Sequence, residues 1–111
     1  MSKARGNLLM VFVTAPNRRE AEKIGKAVIS ENLAACVNII PTVRSIFRWQ
    51  GSLQKSREAL LILKTTKLQY KALEKSLRSK HSYEVPEVLA VTVETGFKQY
   101  MDWVVRETTR D

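Results

Sequence analysis

A single histidine, His81, and a single cysteine, Cys36, are the side chains in this sequence that copper or zinc would choose first. Imidazole and thiolate suit those ions, whereas harder cations prefer oxygen. Glu84 and Glu87 stand close to His81 in sequence and add carboxylate oxygens. The candidate metal set is therefore His81, Cys36 and Glu84, serving copper or another divalent cation with no cofactor strictly required. A structural zinc site takes four ligands, and the CxxC spacing that usually supplies them is absent. Cys36 also opens an apolar stretch, where an inert, buried thiol is the default. His81 and Glu84 have the types of a base and its orienter, but no nucleophile signature accompanies them. Neither Gly-x-Ser-x-Gly nor a phosphate loop occurs, so an enzyme is not expected.

The surrounding composition narrows the class. The chain has 111 residues, room for one domain, and is 44% hydrophobic and 27% charged like ordinary globular proteins. Residues 1–7 read as a flexible tail and 8–111 as the domain. The longest apolar run, Leu8–Val13, is far short of the ~20 residues of a spanning helix, so no membrane is expected. It is also short for a signal peptide, and with one cysteine no internal disulfide can form; the cytoplasm is the simplest location. Net charge is +8, from 19 basic and 11 acidic side chains, which favours acidic partners without fixing a fold. Lys67, Lys71, Lys75 and Arg78 recur at helical spacing and read as a solvated face. The aromatic strand signature of RNA-binding modules is missing, so nucleic acid is not expected as a partner.

The elements that would position these residues follow from periodicity. Leu8–Val13 reads as a buried strand, broken at Thr14-Ala15-Pro16. Asn17 with Glu20 forms a capping box for a helix running to about Asn32, with Ala21, Ile24, Val28 and Ile29 inside. Ala35–Ile40 and Val43–Gln50 read as extended, with Pro41 at a bulge or an edge and Gly51-Ser52 as a turn. Arg57–Lys64 returns antiparallel, and Thr66 with Gln69 caps a second helix carrying Tyr70, Leu73 and Leu77. His81–Glu84 is a loop, Val85–Val93 a further strand, and Phe97 to Thr108 an amphipathic last helix. The repeated strand–helix–strand order predicts an α+β, ferredoxin-like fold with an extra C-terminal helix.

Two helices cover one face of such a sheet, yet both parities of its strands are apolar. Leu8, Met10 and Phe12 oppose Leu9, Val11 and Val13; Leu60 and Ile62 oppose Ala59, Leu61 and Leu63. A one-sided sheet would alternate with polar residues. At ~25 cal/mol per Å², covering several hundred Å² contributes on the order of 10 kcal/mol before association costs. The last helix covers part of it; a second copy of the chain covers the rest. A homo-oligomer is expected.

Several segments taken together resemble a known family. They are Val13-Thr14-Ala15-Pro16, Leu33 through Pro41 (LAACVNIIP), Ser45 through Gly51 (SIFRWQG), His81 through Glu87 (HSYEVPE) and Tyr100-Met101-Asp102-Trp103. In this order and spacing the chain, from about Leu8 to Glu107, is similar to the CutA family of divalent-cation tolerance proteins. The resemblance implies a compact homotrimer related in architecture to the PII signalling trimers, cytoplasmic residence, and a link to tolerance of copper and other divalent metals. It also implies an inter-subunit cleft, for which Trp49, Glu58, Lys64, Tyr83 and Trp103 are the ligand-contacting candidates beside Glu84. Aromatic walls, a cation and carboxylates would suit a small polar or anionic ligand, or else an interface network pairing Lys64 with Glu58 or Glu84. Some members carry cysteine and a second histidine where this chain has Val13 and Lys80, so metal binding is expected to be weak. Phe47 stands where tyrosine is common, and Ser82 where proline is common, which predicts a freer loop before Tyr83. Three functions stay open: a metal-tolerance protein, a small-ligand sensor, and a trimeric hub recruiting another protein.

Overall fold

The computed structural model describes residues 7–109. The tail expected over 1–7 falls outside them except for Asn7, whose carbonyl accepts from the Lys67 amide at 2.8 Å. The elements run β1 (Leu8–Ala15), α1 (Arg18–Ser30), β2 (Cys36–Trp49), β3 (Ser52–Thr66), α2 (Lys67–Lys80), β4 (Val88–Thr92) and α3 (Lys98–Glu107). They form one four-stranded sheet in the order β2-β3-β1-β4, with every neighbouring pair antiparallel. This is the expected strand–helix–strand repeat with the extra helix appended.

The helix starts follow from their caps. Asn17 accepts from the Glu20 amide at 2.8 Å, and Thr66 from the Gln69 amide at 3.4 Å. The third-position side chains reach elsewhere. The Glu20 carboxylate takes the Ser82 amide at 2.9 Å, and Gln69 Nε2 donates to the Thr108 carbonyl at 2.7 Å. One ties the loop after α2 to α1; the other ties the end of α3 to α2. Helix α1 closes through Asn32, whose positive φ of 60° lets its amide reach the Ile29 carbonyl and the Leu33 amide reach that of Val28.

The core lies between the sheet and the pair α1 and α2. It takes Val11, Val13 and Ala15 of β1, Ala59, Leu61 and Leu63 of β3, Ile24 and Val28 of α1, and Leu73 and Leu77 of α2. On the opposite face α3 covers one end only, packing Met101 and Val104 on Leu8. Beyond it Met10, Phe12, Leu60 and Ile62 are half-buried, and Ile40, Leu89 and Val91 are exposed. The two-faced strands therefore leave an apolar surface on the lone subunit.

The strand bounds depart from the sequence reading. β2 merges the expected Ala35–Ile40 and Val43–Gln50 into one strand, and β3 is longer than expected, the two joined by a two-residue turn at Gln50-Gly51 in which both residues have positive φ. β3 pairs with β1 only from Ala59 onward, so Ser52–Glu58 and its partner Val43–Trp49 stand out as a two-stranded arm. The molecule is consequently 50 Å long against 25 and 22 Å in its other dimensions. Between Ile40 and Val43 the register shifts, two residues of β2 facing one of β3, and Pro41 sits in this bulge on an edge strand. β4 begins at Val88, not Val85: Pro86 lacks an amide proton, and residues 81–87 instead wrap the end of the sheet.

Candidate functional site

The anticipated site residues gather at two separate ends of the sheet. Cys36, Lys64 and Met10 are level with one another across β2, β3 and β1. Glu58 lies six positions before Lys64 on β3, roughly 20 Å away at ~3.3 Å per residue. Direct pairing of Lys64 with Glu58 within one subunit is thereby ruled out.

At the first end, the Lys64 ammonium bonds Asn38 Oδ1 and lies 3.9 Å from Cys36 Sγ. The Cys36 thiol itself points to Asn38 Oδ1 at 3.9 Å. Tyr100 and Trp103 of α3 stack at 5.6 Å alongside. Burial, and then the neighbouring Cys36, pushes the Tyr100 phenol above its ordinary pKa. Cys36 is half-buried rather than enclosed, yet a cation occupies its near side, which opposes a metal ion there.

At the second end, α2 terminates at Lys80 and delivers His81 to the end of β1. Its side chain is fully buried. Nε2 lies 2.6 Å from the Thr14 carbonyl, and Nδ1 accepts the Tyr83 amide at 3.0 Å. A carbonyl can only accept and an amide can only donate, so the ring is the neutral Nε2–H tautomer with both nitrogens engaged. Glu20 stands 3.7 Å from Nδ1 while it holds the Ser82 amide. Proline at position 82 would lack that donor; serine therefore ties the loop down rather than freeing it. Tyr83 packs on the imidazole at 4.8 Å and donates its hydroxyl to Glu58 Oε2 at 2.8 Å. Burial first, then the Glu58 hydrogen bond and charge, pushes the Tyr83 phenol up to about 12. Lys80 turns away to Glu31 at 3.0 Å and to Ser76.

The metal set does not converge within a subunit. His81 has no free nitrogen, Cys36 lies at the other end with Lys64, and Glu84 is exposed. Among the described residues no three His, Cys, Asp or Glu side chains are grouped to hold a metal ion. The expected cleft divides in the same way. Trp49, Glu58, Tyr83 and Glu84 line a hollow of about 500 Å³ between the arm and the 81–87 loop, with Phe47 and Glu87. Lys64 and Trp103 belong to the opposite end. The sequence reading missed the anchors Thr14 and Glu20; the Asn17-x-x-Glu20 spacing disclosed only the cap. The Tyr83–Glu58 bond joins residues 25 apart and has no local signal.

A four-stranded antiparallel sheet in the order β2-β3-β1-β4, backed by two helices, defines a ferredoxin-like α+β protein. The family model of the CutA1 divalent ion tolerance protein matches residues 9–107, and the chain belongs to this family. It is 42% identical over 100 residues to the divalent-cation tolerance protein CutA of Thermus thermophilus, covering 90% of this chain and 96% of that one. It is 38% identical over 100 residues to the chloroplastic protein CutA of Arabidopsis thaliana, covering 90% of this chain and 55% of that one. The chain thus spans a little over half the length of that plant relative. Among solved structures, the Thermus thermophilus protein superimposes with a TM-score of 0.90 at 39% identity, covering 92% of this chain and 99% of that one. The Archaeoglobus fulgidus protein, described as periplasmic, gives 0.89 at 32% identity with the same coverage.

Proposed function

We propose that this chain is a homotrimeric divalent-cation tolerance protein that engages copper or other divalent ions weakly, through groups from more than one subunit. The observation that carries the assembly is the apolar face left by α3, on which Ile40, Leu89 and Val91 are exposed at 43, 61 and 49%. The bare arm supports it, because an isolated two-stranded ribbon is marginal in water. Weak, shared metal binding agrees with a subunit whose imidazole is committed to backbone and whose carboxylates are dispersed. The protein is proposed to bind rather than catalyse, since the one candidate base has both nitrogens bonded. Its single free cysteine accords with the cytoplasm. Sedimentation equilibrium at micromolar concentration should return three times the 12.7 kDa chain mass, and Leu89→Glu should lower it. A monomeric wild-type chain would sink the assembly. Copper titration should show weak binding that fades in the dissociated variant; equal affinity in both forms would count against shared ligands.

A second reading, a small-ligand sensor, is favoured by one observation: the aromatic and carboxylate hollow beside the 81–87 loop. A thermal-shift series of metabolites of either charge tests it.

A further inference from the structure

The hollow between the arm and the 81–87 loop has a sign opposite to that of the protein. The chain carries +8, yet Glu58, Glu84 and Glu87 line this space and no lysine, arginine or histidine does. Glu58 also borders a second hollow together with Arg18, Arg19 and Arg57, yet none of these forms an ion pair with it among the described residues. Glu58 is only 8% exposed, and its Oε2 is taken by the Tyr83 hydroxyl. Its other oxygen has no further hydrogen bond or ion pair among the described residues. A buried carboxylate in that state lacks the positive partner that burial normally requires.

Two further features define what would supply it. Phe47 and Trp49, exposed at 41 and 58%, present apolar rings to the same space, and cations are attracted to such faces. The carboxylates are not grouped to hold a metal ion, whose oxygen ligands must crowd within ~2.0–2.6 Å. The volume of about 500 Å³ fits a whole small molecule. The sequence suggested a small polar or anionic ligand, or else an interface network; the anionic option loses its support because Lys64, the expected cation, lies at the far end of β3.

We infer that this hollow binds a small organic cation, its ammonium or guanidinium group on Glu58 and its carbon skeleton against Phe47 and Trp49. Glu84 and Glu87 hold a second positive group where the ligand carries one. The inference deepens the sensor reading, and all its residues come from a single subunit. Agmatine, which carries both an ammonium and a guanidinium, is the probe, with glutarate as the anionic control.

Isothermal titration of the full chain should show saturable agmatine binding and none for glutarate. Glu58→Gln, which keeps an acceptor for Tyr83, should weaken agmatine by about tenfold or more, the worth of a charge-assisted bond. Trp49→Ala should weaken it as well, and Lys64→Met should leave it unchanged. Absence of agmatine binding, tighter binding of glutarate, or an unchanged affinity in Glu58→Gln would each overturn the proposal. So would a Glu58→Gln chain that fails to bind agmatine only because its trimer dissociates, which would mark the hollow as a seat for a basic side chain of a second copy. Sedimentation of the same samples separates the two claims: a monomer that still binds agmatine rejects the trimer and keeps this site.

Discussion

The two halves of β3 are made of one continuous strand and live in different worlds. Ala59–Thr66 has β1 on one side and β2 on the other, and its Ala59, Leu61 and Leu63 are fully buried. Ser52–Glu58 has β2 alone, and its Leu53 is 66% exposed. The inner half is held by the subunit's own core. The outer half is held by a turn, a ladder and whatever docks on it. Core and proposed site divide along this line: the arm residues assigned to the ligand, Phe47 and Trp49, lie outside the subunit's own core.

Four substitutions sharpen or break that contrast. Leu61→Ala should cost about 2–5 kcal/mol in denaturant unfolding, the usual range for a fully buried leucine. A loss under about 1 kcal/mol would mean the inner half is not the core. Tyr83→Phe comes next, at about 1–3 kcal/mol, because it strips the buried Glu58 carboxylate of its only hydrogen-bond donor within the described residues. The same variant has a pH signature. In the fold the Tyr83 phenol titrates near 12 rather than 10, so between those values the unfolded chain has lost a proton that the native chain keeps. Wild-type stability should therefore fall as pH climbs from 10 toward 12, and fall less steeply in Tyr83→Phe. Parallel profiles for the two proteins would dismiss the bond. Gly51→Ala should cost about 1 kcal/mol through its φ of 83° alone, since nothing lies near enough to clash. Leu53→Ala should change stability by no more than ~0.5 kcal/mol in the dissociated Leu89→Glu chain, and by more in the assembled protein. Equal effects in both backgrounds would show that the outer half is not covered by assembly.

How much of this was legible in the residues depends on the range of the interaction that fixes it. The buried strands, both N-caps and the two-faced sheet follow from local periodicity, and each was readable from segments such as Leu8–Val13 and Asn17–Glu20. Of the arm, the strand Val43–Trp49 was readable but its partner was not, because Ser52–Ser56 carries no apolar alternation and its strand state comes from cross-strand pairing with Ser45–Trp49. The start of β4 was misplaced by an apolar Val85 before Pro86, where the missing amide proton outweighs β-propensity. His81 and Cys36 looked alike as potential ligands, being one of a kind. Only the tertiary structure reveals that one is fastened to Thr14 and Tyr83 and the other faces Lys64.

The bulge at Pro41-Thr42 has a consequence for insertions and deletions in this strand. Before it, even-numbered residues of β2 share the face of Ile62; after it, the odd-numbered Val43, Phe47 and Trp49 share the face of Glu58. Side chains alternate along a strand, so deleting one of the two bulged residues would restore a regular ladder, with Val43 still opposite Glu58 and Phe47 and Trp49 on the same face as before. What the deletion removes is the local bend and extra twist that a bulge gives its strand. The aromatic rings would stay on the side of the carboxylate hollow, while the arm would leave the sheet in a new direction. A single codon lost at this point leaves the core and the faces of the arm intact and re-aims the arm as a whole.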